Sequence, residues 1–213
     1  MHPTSSSSAT PNLAGAATAA PTPPRFFSFI GGNSGPWRVE RLHSVAGQAW
    51  PACARISIVA GPVPHLPSDA AWSLSGITSN ERYVMRDEKT SLVDKQQGLG
   101  RHDSDRAALI PIRKNSAWWA LAQDERRAVF EAQSRHIAIG LKYLPAIARR
   151  LHHCRDLGTD EPFEFLTWFE YAASDAPAFE ELVQALRASP EWQYVDREVD
   201  IRLIRSSDPS DPG

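Results

Sequence analysis

The strongest constraint on this chain lies in residues 116–171, where a helix-period tract and two strand-period tracts each hold a polar residue on an apolar side. The first tract follows Trp118-Trp119. Asp124 is placed to cap a helix, and Glu125 suits the positive end of its dipole. Val129, Ala132 and Gln133 fall at i, i+3 and i+4 and His136 at i+7, with Phe130 and Ile137 as the adjacent stripe. Arg127, Glu131 and Arg135 recur every four residues and read as a solvated face with weak helical pairs. Leu144-Pro145 ends the tract, because proline disfavours helix at the residue before it.

Residues 147–153 then alternate as a strand, with Ile147, Arg149 and Leu151 on one face and Ala148, Arg150 and His152 on the other. Arg149 therefore sits between two large apolar neighbours. Taking an arginine out of water is costly, so it normally meets a carboxylate or an anion. If the register is reversed, it is a surface charge. Phe163 to Tyr171 is apolar on both faces, like a strand covered from both sides. Glu170 shares a face there with Leu166 and Trp168. A buried carboxylate can accept the free N–H of a metal-bound imidazole, orienting the ring and strengthening the ligand. The plain alternatives are a core histidine bonded to a carbonyl and a glutamate at a strand edge.

The wider pattern is more specific. Trp72 to Tyr83 (WSLSGITSNERY), Leu99-Gly100-Arg101, Ala108 to Lys114 (ALIPIRK), Trp118-Trp119 and His136 to Arg150 (HIAIGLKYLPAIARR) resemble the chlorite dismutase family. So do His153 to Gly158 (HCRDLG), Leu166 to Glu170 (LTWFE) and Arg197 to Leu203 (REVDIRL). The likeness spans roughly residues 26–205 and is similar above all to the short-chain, dimeric branch. It implies an α+β fold, a ferredoxin-like dimeric α+β barrel with its N-terminal half truncated, acting as a homodimer.

The resemblance further implies heme b as cofactor, with His136 as proximal ligand to the iron. Arg149 corresponds to the distal arginine and Gln96 to its partner glutamine, both catalytic. Glu170 corresponds to the carboxylate partner of the histidine. Trp118 and Trp119 fall near the heme edge and the subunit interface, and Asn80, Arg82 and Tyr83 where heme propionates are contacted. The implied reaction decomposes chlorite, a small anion, to chloride and dioxygen, with Arg149 retaining a hypochlorite-level fragment. A fixed cation in a dry pocket suits that task, and a guanidinium does not deprotonate. A peroxidase-like or heme-maturation role, related to the coproheme decarboxylases, is the alternative within the fold. Those relatives carry a tyrosine in place of the distal arginine, so Arg149 favours chlorite. A heme-free barrel that only binds partners is the third reading, and His136 with Glu170 argues against it.

Composition bounds the remainder. With 213 residues, 42% of them hydrophobic, the chain can bury one enzyme-sized core. A net charge of −2 gives no reason to expect nucleic acid or an anionic membrane as partner. Cys53 and Cys154 lack any zinc spacing and read as thiols. The first 24 residues contain no Lys, Arg, Asp or Glu and are expected to be disordered, as is the stretch 206–213. No basic n-region or unbroken apolar run marks a secretory signal or a membrane span, so the cytoplasm is the default compartment. Phe26 to Ile30, Trp37 to Val45, Ala54 to Ala60, Trp72 to Ser79 and Ala108 to Arg113 read as strands. Pro177 opens a helix, and Val199, Ile201 and Leu203 alternate in a last strand. Gly31 to Gly35 reads as a hairpin turn, and no internal repeat is evident.

Overall fold

The computed structural model describes residues 24–79, 83–158 and 161–206. The two expected tails lie outside them apart from Pro24 and Ser206, as do Asn80 and Arg82. Eight strands close into an antiparallel barrel: β1 (Phe26–Gly32), β2 (Trp37–Ala46), β3 (Arg55–Ala60), β4 (Trp72–Thr78), β5 (Arg106–Lys114), β6 (Ala148–His153), β7 (Phe165–Tyr171) and β8 (Val195–Arg205). Neighbours run β1-β3-β2-β8-β5-β7-β6-β4, with β4 closing back on β1. Each half of the chain thus repeats one order, fourth-first-third-second, a repeat invisible in the residues themselves. The helices are α1 (Arg86–Lys95), α2 (Ser116–Ala120), α3 (Gln123–Arg127), α4 (His136–Lys142) and α5 (Ala176–Arg187). None joins strands within β1–β4.

The expected hairpin at Gly31 to Gly35 is a connection instead. β1 pairs with β3 and β4, and β2 with β3 and β8, so the turn passes across the end of β3. Gly35 has φ +133°, and a Cβ there would meet Ile56 O at 2.6 Å. Turn residues signal a reversal of the chain, not which strands become neighbours.

Two cores lie on opposite faces of the sheet. Phe29, Trp37, Ile56, Leu74, Leu166 and Trp168 fill the barrel, where Trp37 and Trp168 meet edge to face at 5.3 Å. Outside, Ala108, Ile110, Ile147, Phe169 and Tyr171 pack on Phe179, Leu182, Val183 and Leu186 of α5. That is the i, i+3, i+4, i+7 stripe after Pro177. β5 accommodates Pro111 centrally because its ladder to β8 lapses between Leu109 and Ile112.

His152 is buried inside the barrel, edge-on to Phe27 and Phe29 at 5.2 and 5.1 Å, with Nδ1 3.3 Å from Leu166 O. Burial pushes its pKa down to about 4; the Leu166 carbonyl opposes this and Arg150 adds to it. The unfolded chain therefore binds this proton first. Stability is full above the ordinary histidine pKa and falls as pH drops toward 4, by about 3 kcal/mol in total. Urea unfolding at pH 8 and pH 5 should show about 2 kcal/mol of this loss, and His152→Leu should remove most of it. An equal loss in the variant would assign the pH dependence elsewhere.

Candidate active site

A cavity of about 430 Å³ lies between the outer face of the sheet and the helices, within the range of cofactor pockets. Ile110 and Ile112 of β5, Arg149 and Leu151 of β6, and Thr167 and Phe169 of β7 form one wall. Leu92, Gln96, Phe130 and His136 line other sides. A smaller cavity of about 80 Å³ shares His136, Phe130 and Leu151 with it and reaches Tyr83, Trp118 and Glu191. His136 and Arg149, thirteen residues apart, therefore line one space.

His136 arrives there by a broken helix rather than the continuous one its periodicity predicts. Ala122, not Asp124, is the N-cap of α3, and its N–H is held by Glu125 at 2.6 Å. Ala128–Gln133 then widens into a π-helical turn, and Arg135 takes a left-handed φ of 53°. Such interruptions concentrate where a side chain must be re-aimed. α4 restarts at His136, with the Glu131 carboxylate accepting from Ile137 N at 2.6 Å. Arg127 pairs with Glu88 at 2.5 Å and also bonds Tyr83 O. Arg127 and Glu131, expected on a solvated face, instead brace the segment that carries the histidine.

The carboxylate beside His136 is Glu191, not Glu170. His136 Nδ1 lies 2.7 Å from Glu191 Oε2, and Lys114 Nζ lies 2.7 Å from Glu191 Oε1. Lys114 and Glu191 are both buried. Burial alone would raise the Glu191 pKa, but His136 and Lys114 outweigh it and bring the carboxyl down to about 2. An ionised carboxylate accepts only, so Nδ1 carries the proton and Nε2 is the basic nitrogen. Phe130 stacks on the ring with centroids 4.3 Å apart. Glu170 faces the barrel interior with Trp168, on the far side of β7 from the cavity. It accepts from Trp168 Nε1 at 2.9 Å and Gly100 N at 2.5 Å.

Arg149 lies on the cavity face of β6, and burial lowers its pKa to about 10, so it stays charged at neutral pH. Gln96, the C-cap of α1, reaches it through the backbone: Gln96 Nε2 donates to Arg149 O at 2.7 Å. The glutamine therefore positions the strand and not the guanidinium. Trp118 is buried under Lys114, whose Nζ stands 4.7 Å from the ring centroid, and its Nε1 has no partner among the described residues. Trp119 lines neither cavity; it stacks on Phe165 at 6.1 Å with the Arg155 guanidinium 3.5 Å from its ring centroid. Tyr83 lines the smaller cavity with a buried hydroxyl that has no partner among the described residues, and Asn80 and Arg82 lie outside those residues.

Lys114 and Glu191 escaped the sequence reading. Glu191 sits in the five-residue 3-10 turn Pro190–Tyr194, too short for a period, and the one available signal is Pro190 at its start. The donor set fits a heme. An apolar slot offers one imidazole with its Nδ1 proton engaged, while among the described residues no cluster of three His, Cys, Asp or Glu could hold a bare metal.

A family model described as Chlorite dismutase matches residues 67–206. A curated chlorite dismutase from Ideonella dechloratans is 31% identical over 159 residues, covering 74% of this chain and 51% of its own length. The chain thus spans about half the length of that relative. Among solved structures, dimeric chlorite dismutase from Nitrobacter winogradskyi shares 54% identity with a TM-score of 0.77, over 84% of this chain and 99% of that one. A mutant chlorite dismutase from Candidatus Nitrospira defluvii, at 19% identity and a TM-score of 0.62, covers 87% of this chain and 93% of its own. At that identity it speaks to the fold alone. No helix among the described residues is long and apolar enough to cross a membrane.

Proposed function

The chain belongs to the chlorite dismutase family, and from that premise we propose that it decomposes chlorite to chloride and dioxygen on a heme b held by His136. One observation carries the reading: a carboxylate-paired imidazole and an arginine with no carboxylate partner among the described residues line the same apolar cavity. When bound, the heme supplies an iron with an open coordination position and the redox change that breaking an O–Cl bond requires.

The chain supplies everything else. His136 Nε2 would hold the iron, and Glu191, accepting from Nδ1, would fix the ring and strengthen it as a ligand. Lys114 neutralises the second oxygen of Glu191 and keeps the carboxylate ionised inside the protein. Arg149 would draw the chlorite anion into the cavity and keep an anionic, hypochlorite-level fragment from escaping. Among the described residues no carboxylate pairs with it, so its charge remains for the substrate. Gln96 sets that strand, and the Ile110, Ile112 and Phe169 wall keeps water out. The repeated strand order supports a ferredoxin-like barrel whose N-terminal half has lost its helices. The likeness to the dimeric Nitrobacter protein supports a homodimer.

Oxygen evolution from chlorite by the purified ferric protein, followed with an electrode, tests the reading. The expected rate far exceeds that of free hemin. A rate equal to hemin's would favour the peroxidase-like or heme-maturation alternative. Arg149→Ala should keep its heme, release trappable hypochlorite and inactivate within fewer turnovers; unchanged endurance would remove the retention role.

A further inference from the structure

α4 carries a glycine where helix stability calls for alanine or another helix former. Gly140 is buried, one turn beyond His136, and its backbone is ordinary helix rather than the left-handed region that favours glycine. An interior helical glycine destabilises relative to alanine, so its presence points to a packing demand. The demand is visible. A Cβ on Gly140 would lie 2.0 Å from Arg149 Nη1, 2.5 Å from Nη2 and 2.7 Å from Cζ. The guanidinium therefore rests directly against the bare backbone of the helix that bears His136.

The backbone of Arg149 has little freedom to relieve such a clash. Gln96 Nε2 holds the Arg149 carbonyl at 2.7 Å. Upstream, Arg101 donates to Pro145 O at 3.0 Å and to Ala146 O at 2.8 Å. Ordinary van der Waals contact begins at 3.4 Å, so a methyl at position 140 must drive the guanidinium more than 1 Å from its place. The side chain yields, and the strand stays.

We propose that Gly140 is a positioning residue: its missing side chain forms the seat that sets the Arg149 guanidinium in the cavity, and through it the affinity for small anions. The seat rests on packing alone; its consequence for anions rests on the heme reading above. Hydrogen bonds weaken steeply with distance and angle, so a displacement of this size costs the arginine its contact with a bound anion.

The test is a double-mutant cycle of Gly140→Ala and Arg149→Ala in the full chain, read in two ways. In urea unfolding, Gly140→Ala should stabilise the Arg149→Ala protein, as helix propensity dictates, and lose that gain when Arg149 is present. The expected coupling is about fivefold or more in the folding equilibrium constant. In Soret titrations of the ferric holoprotein, Gly140→Ala should weaken cyanide binding about tenfold with Arg149 present and change it less than about twofold without it. Equal effects in both backgrounds overturn the seat, and unchanged or tighter cyanide binding with Arg149 present overturns its role toward anions. Should the wild-type chain bind no heme, the heme reading and the anion role fall together, and the unfolding cycle still decides the seat.

Discussion

His136→Ala protein is expected to fold and to lose its heme. Among the described residues this is the one histidine on the walls of either cavity, and its Nδ1 is already committed to Glu191, so Nε2 is the nitrogen left for iron. Removing only an outer partner of a metal ligand costs about 10- to 100-fold in affinity, and removing the ligand itself should cost more. α4 does not depend on the ring, since the Glu131 carboxylate caps its first turn. Far-UV circular dichroism should therefore match wild type while the Soret band disappears. Imidazole added to the variant can enter the space left by the side chain and should restore part of the band. Stoichiometric heme with an unchanged Soret spectrum would show that another group ligates the iron.

How much of this was legible beforehand depends on what each signal measures. All eight strands were legible, two by alternation and the rest as apolar or turn-bounded runs. Neither signal tells which face of a strand looks into the barrel when both faces are covered. Arg149 and Glu170 both sit among large apolar residues, yet one lines the cavity and the other the barrel interior. Glu170 was accordingly paired with a histidine on the opposite side of the sheet. α1 went unseen because it buries no residue, so it leaves no apolar stripe to read. The helix before His136 was legible as helix, but the π-helical turn and left-handed Arg135 that redirect it come from tertiary packing rather than propensity. The strand order follows from long-range pairing and from no local pattern at all. His136, Arg149 and Gln96 were reachable through family resemblance. Lys114, Glu191 and Gly140 matter for contacts that only the folded chain creates.

The Lys114–Glu191 pair offers the second large effect, because one substitution there should damage both the fold and the ligand. The ammonium and carboxylate are 4% and 5% exposed and 2.7 Å apart. Glu191→Ala leaves Lys114 a buried cation with two indole faces, Trp118 at 4.7 Å and Trp192 at 5.5 Å, as its main compensation. Breaking a buried pair from one side typically costs about 3–5 kcal/mol, a large share of the roughly 5–15 kcal/mol that holds a domain together. The same change frees the His136 ring and should weaken heme binding about 10- to 100-fold. The two losses are separable. Lys114→Met with Glu191→Leu removes both charges together, so most of the stability should return, as it often does when a buried ion pair gives way to apolar residues. Heme affinity should not return, because the imidazole still lacks its acceptor. Urea unfolding and hemin titration on the single and double variants read the two quantities independently. If affinity recovers along with stability, Glu191 serves the fold alone, and the orientation of His136 must be set by something other than this carboxylate.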